Sequence, residues 1–167
     1  MLIRSLLPTD ANAYTDLRRE MLLDAPWAFG SSPEDDVAVD AASLARLGEV
    51  GMVIIGAFED VRLVGSAGVM LRRQRKMAHR AMIWGVYVAP GARGGGVGKA
   101  VVRRAMDTAR TWPGVTSVSL SASAKAVAAV AMYRSLGFVP WGVEPGCLMI
   151  DGKALDEFHM IAPLGQL

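Results

Sequence analysis

The chain has 167 residues, 52% of them hydrophobic and 20% charged, and its formal net charge is +2. This length is typical of one domain with a sizeable core, so we expect a single domain over residues 1–167. A net charge this small attracts polyanions only weakly, and we expect no nucleic-acid partner. Because no apolar run reaches the roughly 18 residues that span a bilayer, and residues 1–7 lack a secretory signal, we expect a cytoplasmic protein that does not bind membranes.

Cysteine and histidine are scarce in this sequence. It contains one cysteine, Cys147, and two histidines, His79 and His159. A single cysteine excludes an internal disulfide and a cysteine-rich zinc cluster. We therefore expect no metal site and interpret Cys147 as a small packing residue.

The N-terminal segment predicts a strand followed by a helix. Residues 2–7 are mainly apolar and end at Pro8, which cannot continue a strand ladder. Thr9 or Asp10 can cap a helix that runs to about Leu23.

Two further short helices are predicted before the next strand. Residues 24–30 form a loop with a proline, a glycine and two large aromatic side chains. Ser32 and Pro33, followed by acidic residues, are typical of the first turn of a helix. Residues 40–47 predict another helix, closed by a glycine.

The central part of the chain predicts three strands. Residues 52–59 and 62–71 form a hairpin with a tight turn between them. The basic connector 72–79 contains no aromatic residues that could stack on bases, so we interpret it as a solvated loop. Residues 81–88 form a buried strand, in which Gly85 predicts a bulge or the close approach of another group to the backbone.

A glycine-rich turn follows this strand. Pro90 and Gly91 end the strand, and residues 93–99 contain four glycines. Apolar residues then recur at every fourth position from Val97 to Ala109, which predicts an amphipathic helix. Unpaired backbone N–H groups at the positive end of a helix dipole bind anions, so this turn predicts a phosphate site.

The spacing of this turn excludes two common phosphate-binding motifs. A Walker A loop needs glycine five positions before Gly98 and Ser or Thr after Lys99, but Arg93 and Ala100 stand there. The dinucleotide pattern GxGxxG fails as well, because Lys99 or Val101 occupies the place of its last glycine.

The C-terminal third predicts three more strands and a helix. Residues 116–121 alternate apolar side chains with serines, which indicates a strand with one polar face. Residues 125–136 predict an amphipathic helix ended by Gly137, and residues 138–142 and 156–162 predict closing strands. This succession of strands and helices predicts an α/β sandwich around a mixed sheet.

Three motifs together resemble one known family. Residues 93–98 (RGGGVG) resemble the R/Q-x-x-G-x-G/A signature of the GNAT superfamily of N-acetyltransferases, residues 86–90 (VYVAP) resemble its V-x-V-x-P strand end, and residues 132–138 (MYRSLGF) resemble its Y-x-x-x-G-F. The resemblance implies a GNAT-like α/β fold, with a mixed, mostly antiparallel central sheet flanked by helices in a single domain. It also implies acetyl-CoA as co-substrate and an amine acceptor, either a small molecule or a peptide.

The resemblance also implies roles for individual residues. Backbone groups of the glycine turn would bind the diphosphate, and the strand end before it would pair with pantetheine. These cofactor-binding residues are Val86, Tyr87, Val88, Arg93, Gly94, Gly95, Gly96, Val97, Gly98 and Lys99. Tyr133 matches the family's catalytic acid. The large aromatic residues expected near the acceptor are Trp27, Phe29, Trp84 and Trp141.

Two departures from the family pattern keep alternatives open. Ala126 stands where the family usually has an asparagine, and Arg80, Met82 and Trp84 occupy the strand positions that often carry the general base. The carboxylates and histidine that could replace that base through water are Glu34, Asp35, Glu144, Asp156 and His159. Direct acetyl transfer in a ternary complex is the main hypothesis, with a catalytically weak acyl-CoA-binding or sensing module as the alternative. The family and an apolar C-terminal region also make a homodimer an expectation.

Overall fold

The computed structural model describes residues 1–36, 39–49 and 51–165, and the larger elements follow the predicted order. Short 3-10 turns at Pro8–Asp10, Pro26–Ala28, Arg75–Met77 and Pro90–Ala92 connect some of them. The bounds of the strands and helices are β1 Leu2–Ser5, α1 Ala11–Asp24, α2 Ala41–Glu49, β2 Met52–Glu59, β3 Arg62–Leu71, β4 Arg80–Val88, α3 Val97–Arg110, β5 Ser117–Ser123, α4 Val127–Ser135, β6 Val139–Ile150 and β7 Lys153–Pro163.

All seven strands of the described residues belong to one sheet, in the order β1-β2-β3-β4-β5-β7-β6. Every neighbouring pair is antiparallel except β4 and β5, which are parallel. The parallel pair needs a crossover connection, and α3 provides it. The predicted mixed, mostly antiparallel sheet flanked by helices is confirmed.

The helices cover the two faces of the sheet unequally. On one face α3 packs its apolar stripe, including Val101, Val102 and Ala105, against the centre of the sheet, and α4 continues that layer. On the other face α1 buries Tyr14 and Met21 against β2, β3 and β4. Beyond β4 this second face carries Ser117, Ser119 and Ser121 of β5, which are not in either core cluster. One face of the C-terminal half of the sheet is therefore open and polar.

Asp10, one of the two residues predicted to cap the first helix, makes other contacts in the structure. Helix α1 does begin after Asp10, but the Asp10 carboxylate makes no capping hydrogen bond to the helix. It accepts two hydrogen bonds from Arg4, at 2.6 and 2.9 Å, and one from the backbone N–H of Leu7 at 2.7 Å. The guanidinium group of Arg4 holds the pKa of this carboxyl below its usual range.

The predicted helix from Ser32 is wrong. Residues 33–35 form a turn, in which Asp35 Oδ1 accepts a hydrogen bond from Ser32 N at 2.6 Å. Immediately afterwards Asp36 accepts hydrogen bonds from Arg18 of α1, with Nε–Oδ distances of 2.7 and 2.8 Å. This half-buried ion pair holds the chain against α1, so a tertiary contact overrides the local preference for a helical first turn.

The closing strands are longer than predicted. They form a hairpin whose two-residue turn, Asp151 and Gly152, has positive φ angles of 49° and 73°. This is the geometry of a type I′ turn, for which Asp-Gly is a strong sequence signal. The alternating pattern of residues 143–150 is obscured by Pro145 and Gly146, which fall where the register of β6 shifts.

The bulge predicted at Gly85 is confirmed. Gly85 has a φ of +58°, and the register between β3 and β4 shifts between Ser66 and Gly68. As a result, Trp84 and Tyr87 lie on the same face of the sheet although three positions separate them. The Ser66 hydroxyl donates a hydrogen bond to the Gly85 carbonyl at 3.3 Å and so supports the bulge.

No helix within residues 1–36, 39–49 and 51–165 is both long and apolar enough to cross a membrane.

The indole ring of Trp84 lies directly on Gly68, where a Cβ atom would overlap it. We therefore expect Gly68→Ala to displace the ring and to lower the free energy of unfolding by about 1–3 kcal/mol, as in other overpacked sites. The matched control is Gly142→Ala, also in a strand, where a Cβ would meet nothing within 4 Å. Urea denaturation of both variants checks this, and equal stabilities would contradict the tight packing of Trp84 on Gly68.

Candidate active site

The most distinctive feature of the sheet is a gap between β4 and β5. The two strands pair only over Arg80–Met82 and Ser117–Ser119. Beyond Met82 they diverge, because the bulge at Gly85 bends β4, and a bulged strand locally turns away from its neighbour. The rest of β4 therefore presents an edge without a strand partner in the middle of the sheet.

A cavity of about 780 Å³ lies in front of this edge. Its walls come from the end of β4, the glycine turn, the loop after α1 and the first residues of α4. All the cofactor-binding residues predicted from the sequence line it, with the exception of Gly95. A smaller cavity of about 90 Å³ lies in the gap itself and is lined from both faces of the sheet, by Phe29, Trp84 and Ser121 on one side and Ala126 and Tyr133 on the other.

The glycine turn adopts a conformation that other residues rarely reach. Gly94 and Gly96 have φ angles of +85° and +79°, in the left-handed region. A Cβ atom at either position would meet nothing within 4 Å, so both backbone segments are open. Helix α3 begins at Val97, and its first N–H groups have no acceptor within the helix. These free N–H groups and the helix dipole can hold a diphosphate.

The edge of β4 offers further backbone groups. Ala89 N donates to Val64 O at 2.8 Å, so Ala89 points its N–H towards β3. Because backbone groups alternate along a strand, Val88 and Val86 point theirs away from β3 and towards the cavity. The Val88 carbonyl does accept a hydrogen bond from Arg93 Nε, at 2.9 Å, on this side. An extended amide-containing ligand could pair with this edge as an added strand.

Arg93 connects the glycine turn to the end of α1. Its guanidinium group forms an ion pair with Asp24 and lies 5.6 Å from the centroid of the Tyr87 ring. The Tyr87 hydroxyl donates towards Asp24 Oδ2 at 3.1 Å and Glu20 Oε1 at 3.3 Å. The pKa of Asp24 is lowered, chiefly by the hydrogen bond from Arg93. Sequence reasoning missed Asp24, because its partner is 69 residues away.

Tyr133 lies at the junction of the two cavities. Its side chain is 6% exposed, and its ring packs edge-to-face on Phe138 with 5.9 Å between centroids. Burial alone raises the pKa of this phenol above its usual value. The hydroxyl is therefore protonated at neutral pH and can act as a hydrogen-bond donor.

Three of the four predicted acceptor-site aromatics lie near the gap. Phe29 lines both cavities, Trp84 lines the gap, and Trp27 lines the larger cavity with Lys125 Nζ 5.6 Å from its ring. The Trp84 Nε1 atom is buried and has no hydrogen-bond partner among the described residues. Trp141 lies apart on β6, 61% exposed and 5.4 Å from the His159 ring, beside a separate hollow of about 400 Å³.

The residues considered as general bases lie in different parts of the structure and have different hydrogen-bond partners. Asp35 closes the turn described above, and Asp156 Oδ1 accepts a hydrogen bond from Gly146 N at 2.9 Å. His159 and Glu144 are hydrogen-bonded to each other, with 2.8 Å between Nε2 and Oε2. The other ring nitrogen of His159 lies 3.0 Å from Ser121 Oγ. Sequence reasoning missed Ser121, although the alternating serines of β5 had marked its polar face.

Cys147 lies in an acidic environment next to this group. Its thiol donates a hydrogen bond to Glu157 Oε2 at 3.4 Å, and ligand atoms of Glu144, Cys147 and Glu157 lie within 4.8 Å of one another. Burial, followed by Glu157, raises the pKa of the Cys147 thiol to about 11. Because metals and electrophiles react with the thiolate, a thiol protonated at neutral pH is a weak ligand and nucleophile.

Known proteins agree with this geometry. Residues 14–138 match the acetyltransferase (GNAT) family. The chain belongs to this family. The GNAT acetyltransferase of Streptococcus pneumoniae has a similar structure, with a TM-score of 0.87 at 20% sequence identity over 98% of this chain and 99% of that one. No curated protein sequence is significantly similar.

Two further solved structures have a similar fold. The yncA protein of Salmonella typhimurium, solved with its cofactor acetyl-CoA, has a TM-score of 0.83 at 24% identity over 100% of this chain and 95% of that one. The ribosomal-protein-alanine N-acetyltransferase of Brucella melitensis has a TM-score of 0.81 at 25% identity over 98% and 100% of the two chains. The open glycine turn, the free N–H groups and the unpaired strand edge fit acetyl-CoA chemically.

A substitution in the turn tests whether it holds the cofactor. We expect Gly96→Val to weaken acetyl-CoA binding roughly tenfold or more, equivalent to about 1.4 kcal/mol, because the side chain would project into the diphosphate site. The positive φ of Gly96 also costs a branched residue about 1–2 kcal/mol of stability.

Gly114→Val is the matched control. Gly114 has a similar φ of +75° and equally open surroundings, but it lies in the turn after α3, away from the cavity. Both variants should lose similar stability in thermal melts, whereas calorimetric titration with acetyl-CoA should show a loss of affinity only for Gly96→Val. Unchanged affinity in folded Gly96→Val protein would contradict this site.

Proposed function

We propose that this GNAT protein transfers the acetyl group of acetyl-CoA to a primary amine of a small molecule or peptide, by direct attack within a ternary complex. The observation that carries the proposal is the gap between β4 and β5. Its cavity is lined by residues of both faces of the sheet, with Tyr133 on the α4 side and Trp84 on the other. Two substrates can therefore reach one point from opposite faces without sharing a path.

The cofactor side supplies orientation and charge. The N–H groups at the start of α3 would hold the diphosphate, while Val86 and Val88 pair with the amides of pantetheine. Such pairing would bring the thioester carbonyl into the gap, where a backbone N–H of β4 could polarise it. Fixing both substrates in this way removes much of the entropic cost of a bimolecular reaction.

Tyr133 would act on the departing sulfur. When the amine nitrogen attacks the thioester carbonyl carbon, the tetrahedral intermediate collapses by breaking the C–S bond, and negative charge develops on sulfur. Reference pKa values are about 10 for tyrosine and 8.5 for a thiol, and burial raises that of Tyr133 further. Complete proton transfer is therefore uphill, and the main contribution of Tyr133 is a hydrogen bond to the forming thiolate.

One observation favours the alternative function, an acyl-CoA-binding or sensing module with weak catalysis. Ala126 lines both the cofactor cavity and the gap, where its methyl group offers no hydrogen bond. A module of this kind would bind acetyl-CoA without turnover.

A panel of amines distinguishes the two functions. Spermidine, kanamycin, glutamate and alanine amide represent polyamines, antibiotics, amino acids and peptide N-termini. We expect one class to release free CoA well above the rate of uncoupled hydrolysis and to yield an acetylated product detectable by mass spectrometry. Tight acetyl-CoA binding with no acetylated product from any class would favour the sensing module instead.

The role of Tyr133 is tested by Tyr133→Phe, which keeps the ring contact with Phe138. We expect kcat to fall about 10²-fold, near the lower end for a general acid, with little change in the KM for acetyl-CoA. Tyr14→Phe is the matched control, because Tyr14 is an equally buried tyrosine in the other core cluster. A Tyr133→Phe variant with wild-type kcat, measured where chemistry limits turnover, would assign Tyr133 to packing alone.

A further inference from the structure

The open face of the sheet carries a hydrogen-bonded chain of three side chains from three adjacent strands. Ser121 of β5 lies opposite His159 of β7 in the strand register, and Glu144 of β6 lies next to it. The Ser121 Oγ to His159 Nδ1 distance is 3.0 Å, and the His159 Nε2 to Glu144 Oε2 distance is 2.8 Å. We propose that Ser121, His159 and Glu144 form a relay that takes the proton from the attacking amine, an inference that rests on the proposed acetyl transfer.

The direction of the chain follows from its chemistry. An ionised carboxylate only accepts hydrogen bonds, so Glu144 requires the proton of a neutral His159 to be on Nε2. Nδ1 then carries a lone pair and accepts the hydroxyl proton of Ser121. The remaining lone pairs of the Ser121 oxygen are free to accept a hydrogen bond from a substrate N–H.

The position of the chain connects it to the reaction. Ser121 lines the cavity in the gap together with Tyr133 and Trp84. The relay thus begins on the acceptor face at the point where the thioester carbonyl is expected, and Tyr133 approaches the same point from the opposite face. The Glu144 side chain is 51% exposed, so the relay ends in solvent.

Neighbouring groups hold the imidazole in place. The Trp141 ring is inclined at 34° to the His159 ring, with 5.4 Å between centroids. The register of β6 shifts between Pro140 and Gly142, which adds one residue and brings Trp141 to this position. Of the charged or titratable groups on β6 and β7, Glu144 contacts His159, and ligand atoms of Cys147 and Glu157 lie within 4.8 Å of Glu144 and of each other. Its β5 neighbour is the uncharged Ser121.

The proposed step is balanced. As the amine nitrogen bonds to the carbonyl carbon, its proton passes to the Ser121 oxygen while the Ser121 hydroxyl proton passes to His159 Nδ1. The resulting imidazolium is stabilised by Glu144. Ser121 passes on a proton and is not itself acetylated. When the C–S bond breaks, CoA leaves as a thiolate that Tyr133 stabilises, and the imidazolium later releases its proton to water.

The test uses the amine of the panel that wild-type protein acetylates fastest. We expect His159→Asn to lower kcat about 10²-fold and to change the pH profile of kcat, because the asparagine side chain cannot take up the proton. Ser121→Ala should lower kcat similarly, because its methyl group cannot pass on the proton. The KM for acetyl-CoA should not change in either variant.

Ser119→Ala is the control, since Ser119 lies on the same face of β5 but donates to the backbone carbonyl of Ala81. It should retain wild-type kcat and pH profile. A purely structural role for His159 would lower the melting temperature and leave the pH profile of kcat unchanged, which would overturn the relay. An acetyl group found on Ser121 by mass spectrometry after incubation with acetyl-CoA would also overturn it, in favour of a nucleophilic serine.

The outcomes also separate this inference from the proposed function. If wild-type protein acetylates an amine and His159→Asn matches its rate and pH profile, the relay alone is overturned. If wild-type protein binds acetyl-CoA but acetylates none of the four amines, the proposed function is overturned and the relay with it.

Discussion

The site depends on the loss of pairing between β4 and β5. A continuous sheet would satisfy the backbone groups of both strands and leave no opening for a ligand. The bulge at Gly85 ends the pairing after three residues, and the exposed edge of β4 must then find hydrogen-bond partners elsewhere. A ligand with amide groups can form these hydrogen bonds. The bulge that interrupts the sheet therefore also selects the kind of ligand that can bind in the gap.

The surrounding elements are arranged to keep this opening in shape. Helix α3 provides the crossover that lets β5 run parallel to β4. Because α3 follows the end of β4 after a short turn, its N-terminus lies beside the opening. Arg93 and Asp24 join the glycine turn to α1 on the other side of the sheet. In water such an exposed ion pair contributes little stability. Its effect here is geometric, because it fixes the start of the loop that carries Phe29.

Local patterns predicted most of this architecture. The glycine turn, the bulge and the strand before it are encoded within about thirty consecutive residues, where short-range sterics decide the conformation. The Ser32 segment failed because the Arg18–Asp36 ion pair, a contact between distant residues, outweighs helix propensity. Trp141 and Ser121 could not be placed from the sequence, because their positions depend on strand register and on one added residue in β6. Register is a property of the assembled sheet.

The two cavities at the gap draw residues from most of the chain, from Asp24 at the end of α1 to Ser135 at the end of α4. The residues that line the gap run from Ala28 to Tyr133, so no short fragment contains both of its walls and a partly folded chain would not form the cofactor site. Binding is then linked to the global folding equilibrium rather than to local ordering. Acetyl-CoA at 100 times its Kd would add about 2.7 kcal/mol to the free energy of unfolding. Such binding would lower the fraction of unfolded chain that proteases can attack.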